Sequence, residues 1–278
     1  MKKIPRNEFL QALRDYHPAL HLEYYANYRH WYFGDDPLDA EFFAVGGCVV
    51  VYRGAEYNGE YSVFCYIHEV SDNCDFDEAC RVCRDYAAAD CARYETTSRT
   101  IVLVHCGEPD EDLNKFQGFR KFVRYPQADE PPFESDPHIV PLTREHFDEM
   151  KKICDPAVLE SDTWFGKMEA ESFFDWEFDW CEKEGIRLLG YRDDTGHLLG
   201  IASWSAEDEV NLGWLHDIFV TPAGRGHGIG RALVRAALSR VPGRPWLYQA
   251  ARDNVPSIAL AKSCGFTLDG ANLFVYAD

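Results

Sequence analysis

The sequence predicts an α/β fold, with a mixed sheet covered by helices in each half of the chain. Runs rich in β-branched and aromatic residues alternate with segments of helical apolar spacing along the 278 residues. Hydrophobic residues make up 46% and charged residues 27% of the chain, which is typical of globular rather than disordered proteins. A stretch rich in proline and acidic residues at 126–137 interrupts the alternation, so we expect a linker between two domains.

The first domain, residues 1–125, is predicted to combine helices with an extended hairpin. Apolar residues at helical spacing predict two helices between Asn7 and Trp31. The expected strands are 41–52 and 60–70, joined by a turn at Tyr57–Asn58–Gly59, followed by 100–105 and 121–125. The other expected helices run from Asp75 or Asp77 to about Tyr94 and from 111 to 117, the latter ended by Gly118.

The second domain, residues 138–278, is predicted to repeat this alternation. The expected helices are 143–154, capped by Thr143, then 172–184, 228–240, and 254–263, ended by Gly265. The expected strands are 138–142, 186–192, 197–205, 210–220 and 246–250, followed by a hairpin of 266–268 and 272–276 across Asp269–Gly270.

The most informative stretch joins the predicted strand 210–220 to the helix after it. Glycines occupy alternate positions there, at Gly224, Gly226, Gly228 and Gly230. Glycine lets backbone amides approach a ligand closely, and a helix N-terminus attracts anions. The stretch therefore predicts a phosphate-binding loop; the alternative is a glycine-rich turn that only connects strand to helix.

The spacing of the loop excludes two common phosphate-binding motifs. A Walker loop needs Lys and then Ser or Thr after its last glycine, but Gly230 is followed by Arg231–Ala232, and the dinucleotide fingerprint fails at its third glycine. Arg225-x-x-Gly228-x-Gly230, after a strand ending in Val220-x-Pro222, resembles the acyl-CoA pyrophosphate loop of the GNAT superfamily of N-acyltransferases.

A second stretch carries the same resemblance. Asn254-x-x-Ser257-x-x-Leu260-Ala261-x-x-x-Gly265-Phe266 is similar to the family's Asn-x-x-Ala-x-x-Leu-Tyr-x-x-x-Gly-Phe segment. The resemblance covers about residues 136–278 and implies a GNAT fold there. The first half repeats the element order and ends in Gly118–Phe119, so we expect a degenerate GNAT-like domain in a tandem arrangement. Residues 70–75 lack glycine, so that domain is not expected to bind CoA.

The resemblance implies acetyl-CoA as cosubstrate and assigns its contacts. The backbone of Ile218, Phe219 and Val220 would pair with the pantetheine, and Asn254 would contact CoA. The residues expected to hold the pyrophosphate are Arg225, Gly226, His227, Gly228, Ile229 and Gly230.

The candidate base is His216, which stands where many relatives place a Glu or His before the motif valine. Its ordinary pKa of about 6.5 suits proton acceptance near neutrality. Strand alternation predicts that Trp214, His216, Ile218 and Val220 share one face, with Leu215, Asp217 and Phe219 on the other. A histidine hydrogen-bonded within the sheet is the equal alternative, and Asp217 is the weaker candidate base.

The general acid departs from the family pattern, because Ala261 stands where the family has tyrosine. Tyr248 is the candidate replacement, with Tyr276 and Cys264 as alternatives. A thiol pKa of about 8.5 makes thiolate a tolerable leaving group without an acid. For the acceptor, the resemblance points to the loop residues Trp164 and Phe165, while the aromatic residues of 173–180 are expected to be mostly core.

Charge and cysteine usage narrow the class of protein. The chain carries 47 acidic and 28 basic residues, a net charge of −19, which argues against nucleic acid or an anionic membrane as partner and suits a cationic amine. No signal peptide or membrane-spanning run is evident, so we expect a cytoplasmic protein. Among the ten cysteines Cys80 and Cys83 are the only close pair, and no second pair or histidines accompany them at ligand spacing, so reduced thiols and no metal are expected.

The sequence therefore predicts an N-acetyltransferase whose small or peptide amine attacks acetyl-CoA directly in a ternary complex. The alternative is a noncatalytic acyl-CoA-binding sensor or interaction module, which the missing tyrosine at Ala261 keeps open.

Overall fold

The computed structural model describes residues 1–16, 40–57, 60–94, 99–127, 133, 136–154, 178–183, 185–207 and 211–275. Contacts divide the chain into two compact units, Met1–Arg120 with Leu268–Asp278 and Lys121–Thr267. This division differs from the predicted single boundary at 126–137, because the last strand of the chain belongs to the first unit. A linker there stays a prediction.

The described residues contain twelve strands and six α-helices. The strands are β1 (Lys2–Lys3), β2 (Glu41–Val45), β3 (Cys48–Tyr57), β4 (Glu60–Glu69), β5 (Arg99–Cys106), β6 (Gln117–Arg124), β7 (Ile139–Leu142), β8 (Arg187–Arg192), β9 (Leu198–Glu207), β10 (Leu212–Val220), β11 (Trp246–Ala251) and β12 (Thr267–Phe274). The helices are α1 (Arg6–Tyr16), α2 (Phe76–Arg93), α3 (Phe147–Ile153), α4 (Phe178–Lys183), α5 (Ile229–Arg240) and α6 (Val255–Ser263).

The first unit is a sheet in the order β1-β2-β3-β4-β5-β12 with a helix on each face. Its neighbouring strands are antiparallel except β4 and β5, which run parallel. Successive side chains of β3 point to opposite faces of the sheet. Val49 therefore packs against α1, while Val50 packs in the cluster under α2. The Asp75 side chain accepts a hydrogen bond from Glu78 N at 2.8 Å, which confirms the predicted cap of α2.

The second unit repeats this design in the order β6-β11-β10-β9-β8-β7. Strands β7 to β10 are antiparallel in succession, and β11 runs parallel to β10 after α5. On β9, Ile201 packs with Met150 of α3, whereas a side chain at Gly200 would meet Leu233 of α5. Each unit thus has a run of antiparallel strands followed by one parallel pair joined through a helix. This shared arrangement confirms the predicted repeat.

Several predicted elements differ from the observed ones. The predicted strand 41–52 is two strands, because Gly46 and Gly47 adopt φ of +57° and +77° and form a tight turn. The predicted helix 111–117 is only a 3₁₀ turn at Leu113–Lys115, and Gly118 lies within β6 instead of ending a helix.

The predicted hairpin across Asp269–Gly270 is wrong, because β12 is one continuous strand. Its pairing with β5 runs from Gly270↔Cys106 to Phe274↔Val102, so long-range pairing overrides the local turn signal. Two predicted helical segments, the second one before Trp31 and residues 172–177, lie outside the described residues.

Gly118 is expected to be essential for seating β12 in the first unit. A Cβ there would lie 2.0 Å from the Asn272 carbonyl oxygen, so Gly118→Ala must displace one strand. We expect the free energy of unfolding, measured by chemical denaturation, to fall by about 3 kcal/mol. Gly107→Ala is the matched control: at φ +80° with nothing within 4 Å, it should cost only about 1 kcal/mol. Equal losses would show that the close approach is not limiting.

Candidate functional site

The candidate site is shaped by a β-bulge at His216 in β10. Strand β10 pairs with β9 on both sides of this residue, with Leu215 opposite Trp204 and Asp217 opposite Ser203. His216 is therefore an extra residue on β10 with no opposing residue on β9. A bulge of this kind bends the strand and increases its twist.

The ladder between β10 and β11 ends beside the bulge. Among the described residues it covers three pairs, from Gly213↔Trp246 to Leu215↔Tyr248, although β10 continues to Val220. In the first unit, the corresponding β4–β5 ladder holds six pairs and reaches His68 near the end of β4. The second unit therefore has a parallel pair of strands that part after the bulge. An extended ligand can add to such a strand edge through backbone hydrogen bonds.

The glycine loop follows β10 directly, and its glycines have two different roles. Gly226 and Gly228 adopt φ of +78° and +80°, and nothing lies within 4 Å of a Cβ at either position, so they are needed for backbone conformation. A Cβ at Gly224 would lie 3.0 Å from Ile229, and one at Gly230 would lie 3.1 Å from Leu260, so these two permit close packing. The segment from Arg225 to Gly228 is exposed.

The loop ends at the N-terminus of α5, which has no acidic residue in its first turn. Gly228 is the N-cap, and its carbonyl oxygen accepts from Ala232 N at 3.0 Å, while no side chain caps the helix. In the first unit, α2 is capped by Asp75 and carries Asp77 and Glu78 in its first turn. The positive end of α2 is thus met by its own carboxylates, whereas the end of α5 is suited to an external anion.

His216 lies on the edge of this site and is uncharged near neutral pH. Its Nε2 is 2.8 Å from Ser205 Oγ, and its ring centroid is 4.4 Å from that of Trp214. Burial lowers the pKa of His216 to about 4. The imidazole is therefore available to accept a proton but is a weak base.

Asp217 lies on the same face as His216. Ser203 Oγ donates to Asp217 Oδ2 at 2.6 Å and accepts from Asp217 N at 2.9 Å. Ser203 and Ser205 are two residues apart on β9 and so share a face of the sheet. The predicted shared face of Trp214 and His216 is confirmed, but the prediction is wrong for Asp217, because the extra residue at the bulge turns Asp217 to the side of His216.

The shared face of His216 and Asp217 is the one covered by α3 and α4. The pKa of the Cys154 thiol, at the end of α3, is raised by burial and by the charge of Asp217. The pKa of Cys181 in α4 is raised to about 11 by the same two causes. Trp164 and Phe165, the predicted acceptor contacts, belong to the segment between these helices and lie outside the described residues.

Tyr248 is not brought together with His216. Its register partner Leu215 is also the partner of Trp204, the neighbour of Ser205 on β9, so Tyr248 and His216 lie on opposite faces. The Tyr248 hydroxyl is 2.8 Å from Ser257 Oγ, in the first turn of α6.

The second motif forms α6 as predicted. Asn254 caps the helix, and its Oδ1 accepts from Ser257 N at 3.1 Å. Ala261 is fully buried, and its methyl side chain has no proton to donate. Of the alternatives for the acid, burial raises the pKa of Cys264, and Tyr276 lies outside the described residues.

The sequence interpretation missed Ser203 and Ser205 as supports of the site. Both are buried, at 0% and 2% exposed, between apolar neighbours on the strand. Two alternate serines on a strand next to the candidate base are a signal that could have identified them, since buried hydroxyls need hydrogen-bond partners.

The described residues show neither a metal-binding cluster nor a membrane-spanning helix. No group of three or more His, Cys, Asp or Glu side chains is arranged to hold a metal ion there. Within the same ranges, no helix has the length and apolar character needed to cross a bilayer.

Comparison with known proteins relates most of the second unit to one family. Residues 150–266 match the model of the acetyltransferase (GNAT) family. A mycothiol acetyltransferase from Catenulispora acidiphila is 32% identical over 108 residues, which cover 37% of this chain and only 32% of that protein.

Solved structures extend the likeness of fold to the whole chain. A GCN5-related N-acetyltransferase from Sphaerobacter thermophilus has a TM-score of 0.54 at 14% identity, covering 88% of this chain and 82% of its own. A tandem GNAT protein from the clavulanic acid biosynthesis pathway has a TM-score of 0.50 at 15% identity, covering 100% of this chain and 98% of its own. The chain thus has the fold of a tandem GNAT protein, as the sequence predicts.

The lowered pKa of His216 makes stability depend on pH in a defined window. The unfolded chain binds a proton at His216 below about pH 6.5, whereas the folded chain does so only near pH 4, so acidification favours unfolding. We expect the melting temperature of the wild type to fall relative to His216→Gln as pH drops from about 6.5 to 4. Parallel melting curves for the two proteins across that window would mean that His216 titrates normally.

Proposed function

We propose, with the GNAT-family domain at residues 150–266 as the premise, that the protein transfers an acetyl group from acetyl-CoA to a primary amine. The transfer would proceed by direct attack of the amine in a ternary complex within the second unit. The observation that carries the proposal is the end of the β10–β11 ladder at His216. Beyond that point β10 has an edge that is not paired with β11. This edge leads into the glycine loop and a helix N-terminus without acidic residues.

The proposed cosubstrate contacts follow the geometry of β10 and α5. The backbone of Ile218, Phe219 and Val220 would pair with the pantetheine, since β9 occupies the other edge of this segment. The amides of the loop from Arg225 to Gly230, which includes His227 and Ile229, would hold the pyrophosphate at the start of α5. Acetyl-CoA would supply the acetyl group as a thioester.

Asn254 and Tyr248 are proposed to complete the site from the side of α6. Asn254 begins that helix shortly after β11, and its side-chain NH₂ would contact CoA while its Oδ1 caps the helix. The Tyr248 hydroxyl and Ser257 form a pair in the same turn, and Tyr248 remains the candidate acid. Thiolate is a tolerable leaving group near neutral pH, so an acid would speed the reaction without being required.

His216 is proposed as the base, and its low pKa limits which protons it can accept. An alkylammonium ion has a pKa of about 10, so direct transfer of its proton to an imidazole of pKa about 4 is uphill by about 8 kcal/mol. A cationic amine must therefore first lose a proton to solvent, and His216 would take the next proton as the new C–N bond makes the nitrogen acidic. Ser205 would hold the imidazole in place.

Asp217 is proposed to attract the acceptor. Its carboxylate is fixed by Ser203 on the face of His216, and a carboxylate there favours a cationic amine in the approach to the site. Trp164 and Phe165 would add aromatic contacts. The partial similarity to a mycothiol acetyltransferase favours a small-molecule acceptor over a peptide amine. Cytoplasmic location, and no nucleic-acid or membrane partner, stay predictions from composition.

A second function, noncatalytic binding of acyl-CoA, is favoured by two observations. Ala261 stands in place of the usual tyrosine, and the candidate base His216 is weak. The two functions differ in whether acetyl-CoA is turned over. To test this, purified protein is mixed with acetyl-CoA and with amines that span a range of basicity, and the release of free thiol is followed. Tight binding of CoA without turnover of any amine would favour the sensor.

The roles of His216 and Asp217 are expected to separate in steady-state kinetics. His216→Gln keeps a hydrogen-bonding group beside Ser205 and should lower kcat about 100-fold without changing CoA affinity. Asp217→Asn should mainly raise KM for cationic amines, because it removes the charge and keeps the shape. Unchanged kcat and an unchanged pH profile in His216→Gln would remove the assignment of the base.

The phosphate role of the loop is tested by a pair of variants that differ only in charge. Asn and Asp both tolerate the left-handed conformation of Gly228 and both cap helices, so each variant should fold. We expect Gly228→Asp to bind CoA at least about 10-fold more weakly than Gly228→Asn in calorimetry at low salt, with the difference shrinking as salt is added. Equal affinities for CoA would mean that its phosphates lie elsewhere.

A further inference from the structure

The first unit brings two cysteines together at a contact between two turns. The Gly46–Gly47 turn meets the segment that precedes α2, where the Gly46 carbonyl oxygen accepts from Asp75 N at 2.6 Å. A Cβ at Gly47 would lie 3.1 Å from Ser71 Oγ and 3.5 Å from the Cα of Cys74, so the two segments are closely packed. Cys48 directly follows this turn.

The thiols of Cys48 and Cys74 lie close enough to each other to interact. Cys74 Sγ also lies 3.0 Å from the Gly47 carbonyl oxygen and 3.8 Å from Ser71 Oγ. Cys74 is partly exposed, whereas Cys48 is 1% exposed and belongs to the core under α2. One sulfur of the pair is thus accessible to solvent, and the second lies behind it.

The surroundings of Cys74 favour its thiolate. The interaction with Cys48, together with hydrogen bonds from the backbone of Val70 and Ser71, lowers the pKa of Cys74 to about 6, against the opposing effect of burial. The Gly47 carbonyl oxygen acts in the opposite sense, because it accepts a hydrogen bond from the protonated thiol.

A second thiol pair in the same unit offers a natural control. Cys65 and Cys83 also lie close enough to each other to interact, but they are 0% and 1% exposed within the core cluster. The pKa of Cys65 is raised by its interaction with Cys83 and by burial. This pair has the proximity of the first pair without its access to solvent.

We propose that Cys74 and Cys48 form a reversible disulfide when a hydroperoxide reaches the first unit. The Cys74 thiolate attacks the peroxide oxygen, becomes a sulfenic acid and releases hydroxide. The Cys48 sulfur then attacks Cys74 Sγ, and the sulfenic oxygen leaves as water. Overall, two thiols lose two electrons and hydrogen peroxide is reduced to two water molecules. A small-molecule dithiol returns both thiols by exchange. This site is independent of the proposed acyl transfer.

The test uses the full-length protein, first reduced and then treated with a small excess of hydrogen peroxide near neutral pH. Remaining thiols are alkylated, and the peptides are analysed by mass spectrometry before and after dithiothreitol. We expect a linked peptide containing Cys48 and Cys74 that dithiothreitol removes, with Cys65 and Cys83 alkylated as thiols. Cys83→Ser should leave the Cys48–Cys74 link intact.

Variants separate the two steps of the proposed reaction. Cys74→Ser should abolish the link, and Cys48→Ser should leave a sulfenic acid at Cys74 that dimedone captures. If Cys48→Ser does not fold, the presence or absence of the linked Cys48–Cys74 peptide in the wild-type protein is the deciding result. A sulfinic acid at Cys74 without a link, or a Cys65–Cys83 link at the same peroxide dose, would overturn the proposal. So would faster alkylation of the partly exposed Cys106 than of Cys74 in the native protein.

Discussion

The β-bulge at His216 is the constraint on which the candidate site depends. One extra residue in β10 cannot be accommodated without changing both the side-chain alternation and the path of the strand. It turns Asp217 to the side of His216, where the serines of β9 hold both side chains. The ladder to β11 ends at the same point. The proposed space for the cosubstrate and the proposed catalytic face therefore have one structural origin.

The two units show how the same topology is made suitable or unsuitable for an external anion. In the first unit, β4 stays paired with β5 and α2 is capped by Asp75, so the ladder is continued and the helix dipole is met internally. In the second, Gly228 caps α5 without a side chain. Each such charge–dipole contact is worth only about 0.3–1 kcal/mol, but its sign decides which helix favours a phosphate.

Features set by local chemistry were predictable from the sequence, and those set by pairing were not. The glycine loop, the caps at Asp75 and Asn254 and the order of elements follow from backbone preferences within a few residues. The bulge has no such mark, since His216 is an ordinary strand residue. The course of β12 was missed because pairing with β5 overrides the Asp269–Gly270 turn signal. The Gly46–Gly47 turn was a local signal that the interpretation passed over.

Strand β12 belongs to the first unit but follows the second unit in the sequence. The folding of the first unit is therefore coupled to the synthesis of the second. The first unit takes its final segment from Leu268–Asp278, whereas its other residues end at Arg120. A ribosome must therefore translate the whole of the second unit before β5 can meet β12. Until then the edge of β5 is without its native neighbour, and such edges invite intermolecular pairing. The first unit is thus completed only after the second has been made.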